Sequence, residues 1–283
     1  MKARLCIIFL AAAALLAPAF DAHAYVLAPE QIFTLMARAL GKDKSLSVTG
    51  RVVLYPEKKG EKTELAARAL YSFPDSFREE LGKNQVFVAG PMGAAKIKGN
   101  DLASEMEGPM DYYKDLLLIR KPGALLQKLS LRGVDVSTVS LGRYKGQVAF
   151  VIGAFAPDET VPQVWVDKET FLPMRWIVSP APPGSSTGGL EVLYTDWKTI
   201  GSGKKTSKYP MRISVLKGGK LISERLAKDC VVNPAVTPAD FTVGVLRKKA
   251  QAGQLQSDVK TPSSPEMDQV RKTIQNFRKL YGD

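Results

Sequence analysis

The side chains able to do nucleophilic, acid–base or metal chemistry are few in this sequence. Its one histidine, His23, and one of its two cysteines, Cys6, both lie in the first 24 residues. Without that segment, neither a Ser-His-Asp nor a Cys-His arrangement can form, and histidine-ligated metal sites are excluded. The other thiol, Cys230, then has no disulfide partner, and its setting in DCVV is typical of a buried cysteine.

Carboxylate pairs were the remaining candidates for catalysis. Glu79 and Glu80 are adjacent in a predicted strand, so they point to opposite faces and cannot share a substrate. Asp158 and Glu159 follow a proline, which is typical of a turn. The stretch PGSSTGG lacks the lysine and spacing of a phosphate-binding loop, and no acidic run has calcium-loop spacing. We therefore expect no catalytic residue, no metal site and no cofactor, in a protein that is not an enzyme.

The N-terminal segment, residues 1–24, is predicted to be a cleaved secretory signal. Lys2 and Arg4 precede an apolar run from Leu5 to Phe20, and Ala22-His23-Ala24 has the small-x-small pattern of a cleavage site. Cys6 stands inside the apolar run rather than at the cleavage point, so no lipid anchor is expected. The predicted location is periplasmic.

The net positive charge of the chain limits the kinds of partner that we expect it to bind. Removal of the signal lowers the formal net charge only from +12 to +11. Nucleic acid is not the expected partner outside the cytoplasm. Two interpretations remain open: a well-solvated surface, or attraction to anionic lipid headgroups or an acidic partner protein.

Hydrophobic spacing predicts many strands and few helices. A first helix is predicted from Pro29 with Gly41 as its stop, and residues 111–129 are predicted to form two short helices broken at Pro122-Gly123. Alternating apolar positions predict strands elsewhere. They fall at residues 46–56, 63–73, 77–81, 85–89, 94–98, 102–106, 136–144, 147–155, 161–178, 191–200, 209–218 and 220–232.

These strands are too closely spaced for βαβ units, which predicts an α+β fold. We expect one strongly curved antiparallel sheet, a half-barrel, with helices covering its apolar concave face. This domain is predicted to span residues 25–245, with a Pro/Gly/Ser-rich loop at 179–190. A flexible linker, 246–264, then leads to an amphipathic C-terminal helix, 265–283, that docks on its own domain, a partner or a membrane surface.

Several segments together resemble the periplasmic lipoprotein-carrier superfamily, the LolA/LolB-like proteins. The most telling are the hairpin pattern W-x-D-x-x-x-x-x-P-x-R and the closing pattern N-P-x-x-x-P-x-x-F. The matching segments are QIFTLMARALGKDKSLSVTGRVVLY, YSFPDSFREEL, VWVDKETFLPMRW, YTDWKTI, YPMRISV and VVNPAVTPADFTV.

The resemblance implies a half-barrel whose helices lie over an apolar cavity that takes acyl chains. We expect the two hairpin tryptophans, Trp165 and Trp176, either to line this container or to act as structural anchors. The family's lid-gating arginine has no clear counterpart, since Phe73 stands where a basic residue is expected. The cavity is predicted to be lined by Val52, Leu54, Tyr71, Phe73, Val148, Phe150, Ile152, Val164, Val166, Met211 and Ile213.

The sequence thus predicts a monomeric, non-covalent binder or carrier of lipids or lipoprotein acyl chains, in outer-membrane lipoprotein sorting or lipid transport. Its predicted partners are acyl chains and an inner-membrane or outer-membrane protein, and not nucleic acid. An alternative is an envelope-stress sensor that signals to a membrane partner through the C-terminal helix. A third is an interaction module whose cavity is filled by its own side chains.

Overall fold

The computed structural model describes residues 26–56, 60–91, 93–99, 101–179, 189–202, 205–245 and 248. The predicted signal segment and the predicted C-terminal helix lie outside these residues, as do nearly all of the linker and most of the loop at 179–190. Within the described residues, no helix combines the length and the apolar character that a membrane crossing needs.

The described residues form three α-helices, two 3-10 helices and thirteen strands. The helices are α1 (Pro29–Leu40), α2 (Asp115–Leu118) and α3 (Pro122–Leu131), with 3-10 helices at Pro109–Lys114 and Pro238–Phe241. The strands are β1 (Ser45–Leu54), β2 (Thr63–Ser72), β3 (Ser76–Leu81), β4 (Gln85–Gly90), β5 (Gly93–Lys98), β6 (Asp101–Ser104), β7 (Val139–Tyr144), β8 (Gln147–Ile152), β9 (Gln163–Asp167), β10 (Pro173–Ser179), β11 (Leu190–Ser202), β12 (Lys205–Lys217) and β13 (Lys220–Val232).

All thirteen strands form one antiparallel sheet. Its order is β6-β5-β4-β3-β2-β1-β13-β12-β11-β10-β9-β8-β7, so it consists of two meanders joined where the first strand pairs with the last. The sheet is open, because β6 and β7 lie at opposite edges. This architecture confirms the predicted fold class, a single antiparallel sheet curved into a half-barrel.

The topology explains why the helices cover one face. After β6 the chain must reach the opposite edge of the sheet to begin β7, and residues 105–138 make this crossing over the concave face. They carry the 3-10 helix Pro109–Lys114, α2 and α3. We call these three elements, Pro109–Leu131, the crossing layer.

Helix α1 joins the crossing layer from the N-terminal side. Pro29 suits its first turn, and Ile32, Phe33, Met36 and Leu40 form a buried stripe at helical spacing. It ends at Gly41, whose φ of 117° favours glycine and whose added Cβ would lie 1.9 Å from Ser207 Oγ.

The first predicted helix of the crossing layer combines two helix types. Residues 109–114 form a 3-10 helix, and α2 adds a single α-helical turn. Every side chain from Asp111 to Leu118 is buried. In a 3-10 helix, residues three apart lie on the same side, so Asp111 and Lys114 share one side of the turn. An amphipathic α-helix on the surface would instead expose its polar side to water.

The convex face carries two smaller apolar clusters. One contains Val86, Val88, Ala95 and Ile97, with Val243 packed against it. The other contains Ala149, Val151, Ala154 and Trp165. Trp176, by contrast, lies in the main core. The two hairpin tryptophans therefore face opposite sides of the sheet, and only Trp176 faces the predicted container.

Candidate functional site in the covered concave face

The concave face of β8–β12 is almost entirely aliphatic and aromatic. Alternate residues of these strands point inward and join one continuous core with α1 and the crossing layer. Six of the eleven predicted cavity residues lie in this core: Tyr71, Phe150, Ile152, Val164, Val166 and Ile213. Phe73 packs against the same core from a half-buried position.

The other four predicted residues lie elsewhere. Val52 is buried but lies outside the main core cluster, and Leu54 and Val148 are half-buried. Met211 is half-buried and lines a cleft that opens on the outer face. These four residues were predicted to line the cavity from the alternating pattern alone, and that pattern does not show which part of the sheet the helices cover.

The crossing layer fills the concave side in this structure. The ring of Tyr112 stacks on Trp176 with centroids 6.0 Å apart, and the hydroxyl of Tyr194 donates a 2.8 Å hydrogen bond to the carbonyl of Tyr113. Three leucines of α2, Leu116, Leu117 and Leu118, are buried in the same core. The protein is therefore closed and packed by its own side chains.

A buried ion pair crosses the middle of the concave face. Arg225 Nε lies 3.0 Å from Glu79 Oε1, and the Arg225 guanidinium stacks on the Tyr113 ring at 3.6 Å from its centroid. Burial alone would lower the pKa of Arg225, but the charge of Glu79 holds that pKa above its usual range. The arginine thus stays charged and connects β13, β3 and the crossing layer. Glu80, on the opposite face as predicted, pairs instead with Arg78.

Two donors beside this ion pair have no acceptor of good geometry. Tyr113 Oη and one guanidinium nitrogen of Arg225, Nη1, are buried and make no well-aligned hydrogen bond, although the Tyr113 hydroxyl lies near both Glu79 and Arg225. Both residues line a small void of about 30 Å³, together with Glu79 and with the Tyr71–Tyr209 hydroxyl pair, whose oxygens are 3.1 Å apart. This volume accommodates about one water-sized group.

A second charged cluster ties the crossing layer together. Glu107 accepts hydrogen bonds from Lys114, Lys128 and Arg132, at 2.6, 2.9 and 2.8 Å. Burial alone would raise the pKa of Glu107, but Lys114 and Lys128 lower it to about 2. This carboxylate is ionised at neutral pH and joins the end of the layer to its beginning.

A third polar contact lies at the edge of the layer. The guanidinium of Arg120, between α2 and α3, lies 4.4 Å from the centroid of the Phe73 ring. Its Nε and Nη1 atoms are buried without a hydrogen-bond partner, and burial lowers the pKa of Arg120 to about 10. Phe73 thus lies just after β2, and Arg120 lies in the crossing layer that packs against it.

Sequence reasoning missed these polar contacts. Glu79 gave one usable signal, because it occupies the inward position between Phe77 and Leu81 in the alternating pattern of β3. Arg225 and Arg120 gave none, since their partners are distant in sequence. Across the described residues, His, Cys, Asp and Glu form no group suited to a metal ion. The arrangement can bind by apolar burial and by hydrogen-bond donation.

Known structures of similar fold include members of the superfamily that the sequence resembles. A putative outer-membrane lipoprotein-sorting protein domain of Vibrio parahaemolyticus is 11% identical over 77% of this chain and 98% of its own, with a TM-score of 0.49. A LolA superfamily protein of Nitrosomonas europaea is 11% identical over 77% of this chain and 99% of its own, with a TM-score of 0.48.

The complex of MucA and MucB from Pseudomonas aeruginosa is more distant. It is 14% identical over 73% of this chain and 99% of its own, with a TM-score of 0.24. No protein-family model matches the sequence, and no curated protein matches it. These similarities concern the fold, and the function is argued below from the residues of this chain.

Proposed function

We propose that this protein is a periplasmic carrier that binds lipids or lipoprotein acyl chains non-covalently, and that the structure is its closed form. The observation that carries the proposal is the aliphatic concave face of β8–β12 beneath a covering of short helices. An acyl chain offers the same kind of non-directional apolar contact that these helices now make.

The closed packing answers an energetic problem that any acyl carrier faces. Burial of each methylene contributes about 0.8 kcal/mol, so two or three buried acyl chains contribute on the order of 20 kcal/mol. A carrier with an open, preformed cavity would hold such cargo too tightly to release it. A self-packed interior offsets much of that gain, because binding must first displace the layer's own apolar contacts.

The contacts of the crossing layer suit such displacement. On β5, Lys96 pairs with Asp111 of the layer at 2.7 Å, and just after β2 the Phe73 ring lies against Arg120. Both contacts involve charged groups that water can solvate when the layer lifts. We therefore propose that the crossing layer moves away from the sheet as a chain enters.

Tethering the crossing layer to the sheet tests this proposal. Cysteines at Lys96 and Asp111, in a Cys230→Ser background, are joined by a reversible bis-methanethiosulfonate crosslinker. The tether is expected to reduce binding of 1-palmitoyl-2-oleoyl-phosphatidylglycerol at least tenfold, and reduction should restore it. Cysteines at Lys217 and Lys220, which face each other on β12 and β13 next to their connecting turn, provide the control tether. Equal binding with and without the Lys96–Asp111 tether would contradict the movement.

The sensor interpretation remains a prediction from the sequence, because residues 265–283 lie outside the described residues. Deletion of those residues separates the two functions. A carrier keeps both lipid binding and transfer between vesicles, whereas a sensor keeps lipid binding and loses its membrane partner.

A further inference from the structure

The sheet has a gap in its hydrogen bonding between β12 and β13. Their pairing ends at Arg212 and Leu226, although β12 extends back to Lys205 and β13 continues to Val232. Each strand keeps its other neighbour: β12 stays paired with β11, and β13 with β1. Both therefore present an unpaired edge to the gap, which we call the β12–β13 slit.

Local sequence explains why pairing stops there. Pro210, two residues beyond the last pair, has no N–H to donate. On the facing strand, the register against β1 shifts between Thr49 and Gly50, so Lys228 is an extra residue. An added Cβ at Gly50 would lie 2.0 Å from the carbonyl oxygen of Leu226, so only glycine permits this close approach.

Short contacts from the α1–β1 connection close the far end of the slit. Ser207 on β12 donates a hydrogen bond to the side chain of Asp43. The next residue, Lys44, donates its N–H to Asn233 at 2.8 Å, just after β13. The slit is thus framed on all sides and crosses the wall of the half-barrel.

Cavities on the two faces of the sheet share lining residues beside this slit. The outer cleft has a volume of about 890 Å³, and the inner void is the one beside Arg225 and Tyr113. The two share five lining residues: Gly50, Arg51, Ala67, Leu226 and Ala227. Three of these five residues, Gly50, Ala67 and Ala227, have a methyl side chain or none, so little side-chain bulk separates the two cavities there.

The chemistry along this path indicates what enters. The charge of Arg225 is balanced by Glu79, so the two donors without a well-aligned acceptor, Arg225 Nη1 and Tyr113 Oη, suit a neutral acceptor such as an ester carbonyl better than a carboxylate. In the outer cleft Arg212 pairs with Asp196 and Glu224, and Arg51 pairs with Glu64, so the lining is polar and largely balanced in charge and suits a polar headgroup.

We propose that acylated lipids enter and leave through the β12–β13 slit, with an ester carbonyl passing to Tyr113 and Arg225 while the polar headgroup stays in the outer cleft. This inference rests on the proposed carrier function. It adds to it the route of the chain and the ester-linked class of lipid.

A disulfide across the slit tests the route. Met211 and Ala227 are the next residues in register beyond the last pair, so Met211→Cys with Ala227→Cys, in a Cys230→Ser background, staples the slit where it begins. The matched control is Lys217→Cys with Lys220→Cys, at a pair that is already hydrogen-bonded. Each protein is mixed with phosphatidylglycerol vesicles and re-isolated, and its bound lipid is counted by mass spectrometry.

The oxidised staple is expected to slow lipid capture at least tenfold relative to its reduced form, with no change in the control. If the parent captures lipid and the oxidised staple captures it at the same rate, the slit is not the route, and the carrier function still stands. No capture by the parent would overturn both. If the pair does not oxidise, Ala227→Phe, which fills the passage, is measured in the same way.

The ester preference has its own readout. The parent is expected to bind a diacyl phosphatidylglycerol about 3- to 10-fold more tightly than its dialkyl ether analogue, which lacks the carbonyl acceptors. Tyr113→Phe should reduce that ratio, and equal affinity of the parent for the two lipids would contradict the carbonyl site.

Discussion

The two halves of the sheet use their concave faces differently. In β8–β12 the inward residues are apolar and pack directly on the helices, as with Val164, Val166 and Trp176. In β2–β5 the inward positions also include Glu79 and Lys96, which reach Arg225 and Asp111. The first half is a replaceable apolar wall. The second half adds polar contacts to the crossing layer: a buried one through Glu79 and Arg225 that anchors it, and a more exposed one through Lys96 and Asp111 that water can replace.

This asymmetry assigns separate roles to stability and to binding. Charged contacts are directional and costly to leave unpaired, while apolar contacts exchange readily with an acyl chain of similar shape. We therefore expect changes in β2–β5 to affect the closed state most strongly.

Loss of the buried ion pair should have the largest effect. Glu79→Ala leaves Arg225 buried and unpaired, which is expected to reduce the free energy of unfolding by about 3–5 kcal/mol in urea denaturation. Glu64→Ala, on the adjacent strand, removes an exposed ion pair and should change stability by less than about 1 kcal/mol. Similar losses for the two variants would contradict the anchoring role of β2–β5.

Truncation in the apolar half should have a smaller effect. Val164→Ala removes two methyl groups from a fully buried side chain and is expected to lower the free energy of unfolding by about 2 kcal/mol. Val148→Ala deletes the same atoms from a half-buried side chain on the neighbouring strand, β8, and should lower the free energy of unfolding by less than about 1 kcal/mol. If Val148→Ala lowers the free energy of unfolding more than Val164→Ala does, the apolar wall includes Val148, as the sequence predicted.

The pH dependence of Glu107 gives a third, finer distinction. The lysines around it lower its pKa from 4.5 to about 2. The stability it contributes is therefore fully present above about pH 4.5 and is lost as the pH falls toward 2. Glu107→Gln should be less stable than the parent at pH 7, and the two urea midpoints should converge between pH 4.5 and 2. A constant difference across that range would show that the charge of Glu107 does not stabilise the layer.

The sequence predicted the fold well because several of its strands alternate between apolar and polar residues. The segments around Val48 and Tyr71 show a period of two, and turn residues separate most strands. The pairing of β1 with β13, by contrast, joins residues nearly 180 positions apart, and no local pattern encodes it.

The candidate site was predicted only in part, for the same physical reason. Alternation identifies inward positions such as Phe150 and Ile152, but it cannot show that helices cover Phe150 and not Leu54. The slit depends on a proline in one strand and a register shift in another. Each signal was visible alone, at Pro210 and at Gly50, but their alignment is a property of the folded sheet.

The central claim, that the closed interior opens to hold acyl chains, is tested most directly by native mass spectrometry with lipid extraction on protein purified from its secretory compartment. The account predicts co-purified acylated species, or their appearance after incubation with phosphatidylglycerol and an acylated peptide. A bare protein mass that stays unchanged after both incubations would contradict it, and would favour an interaction module filled by its own side chains.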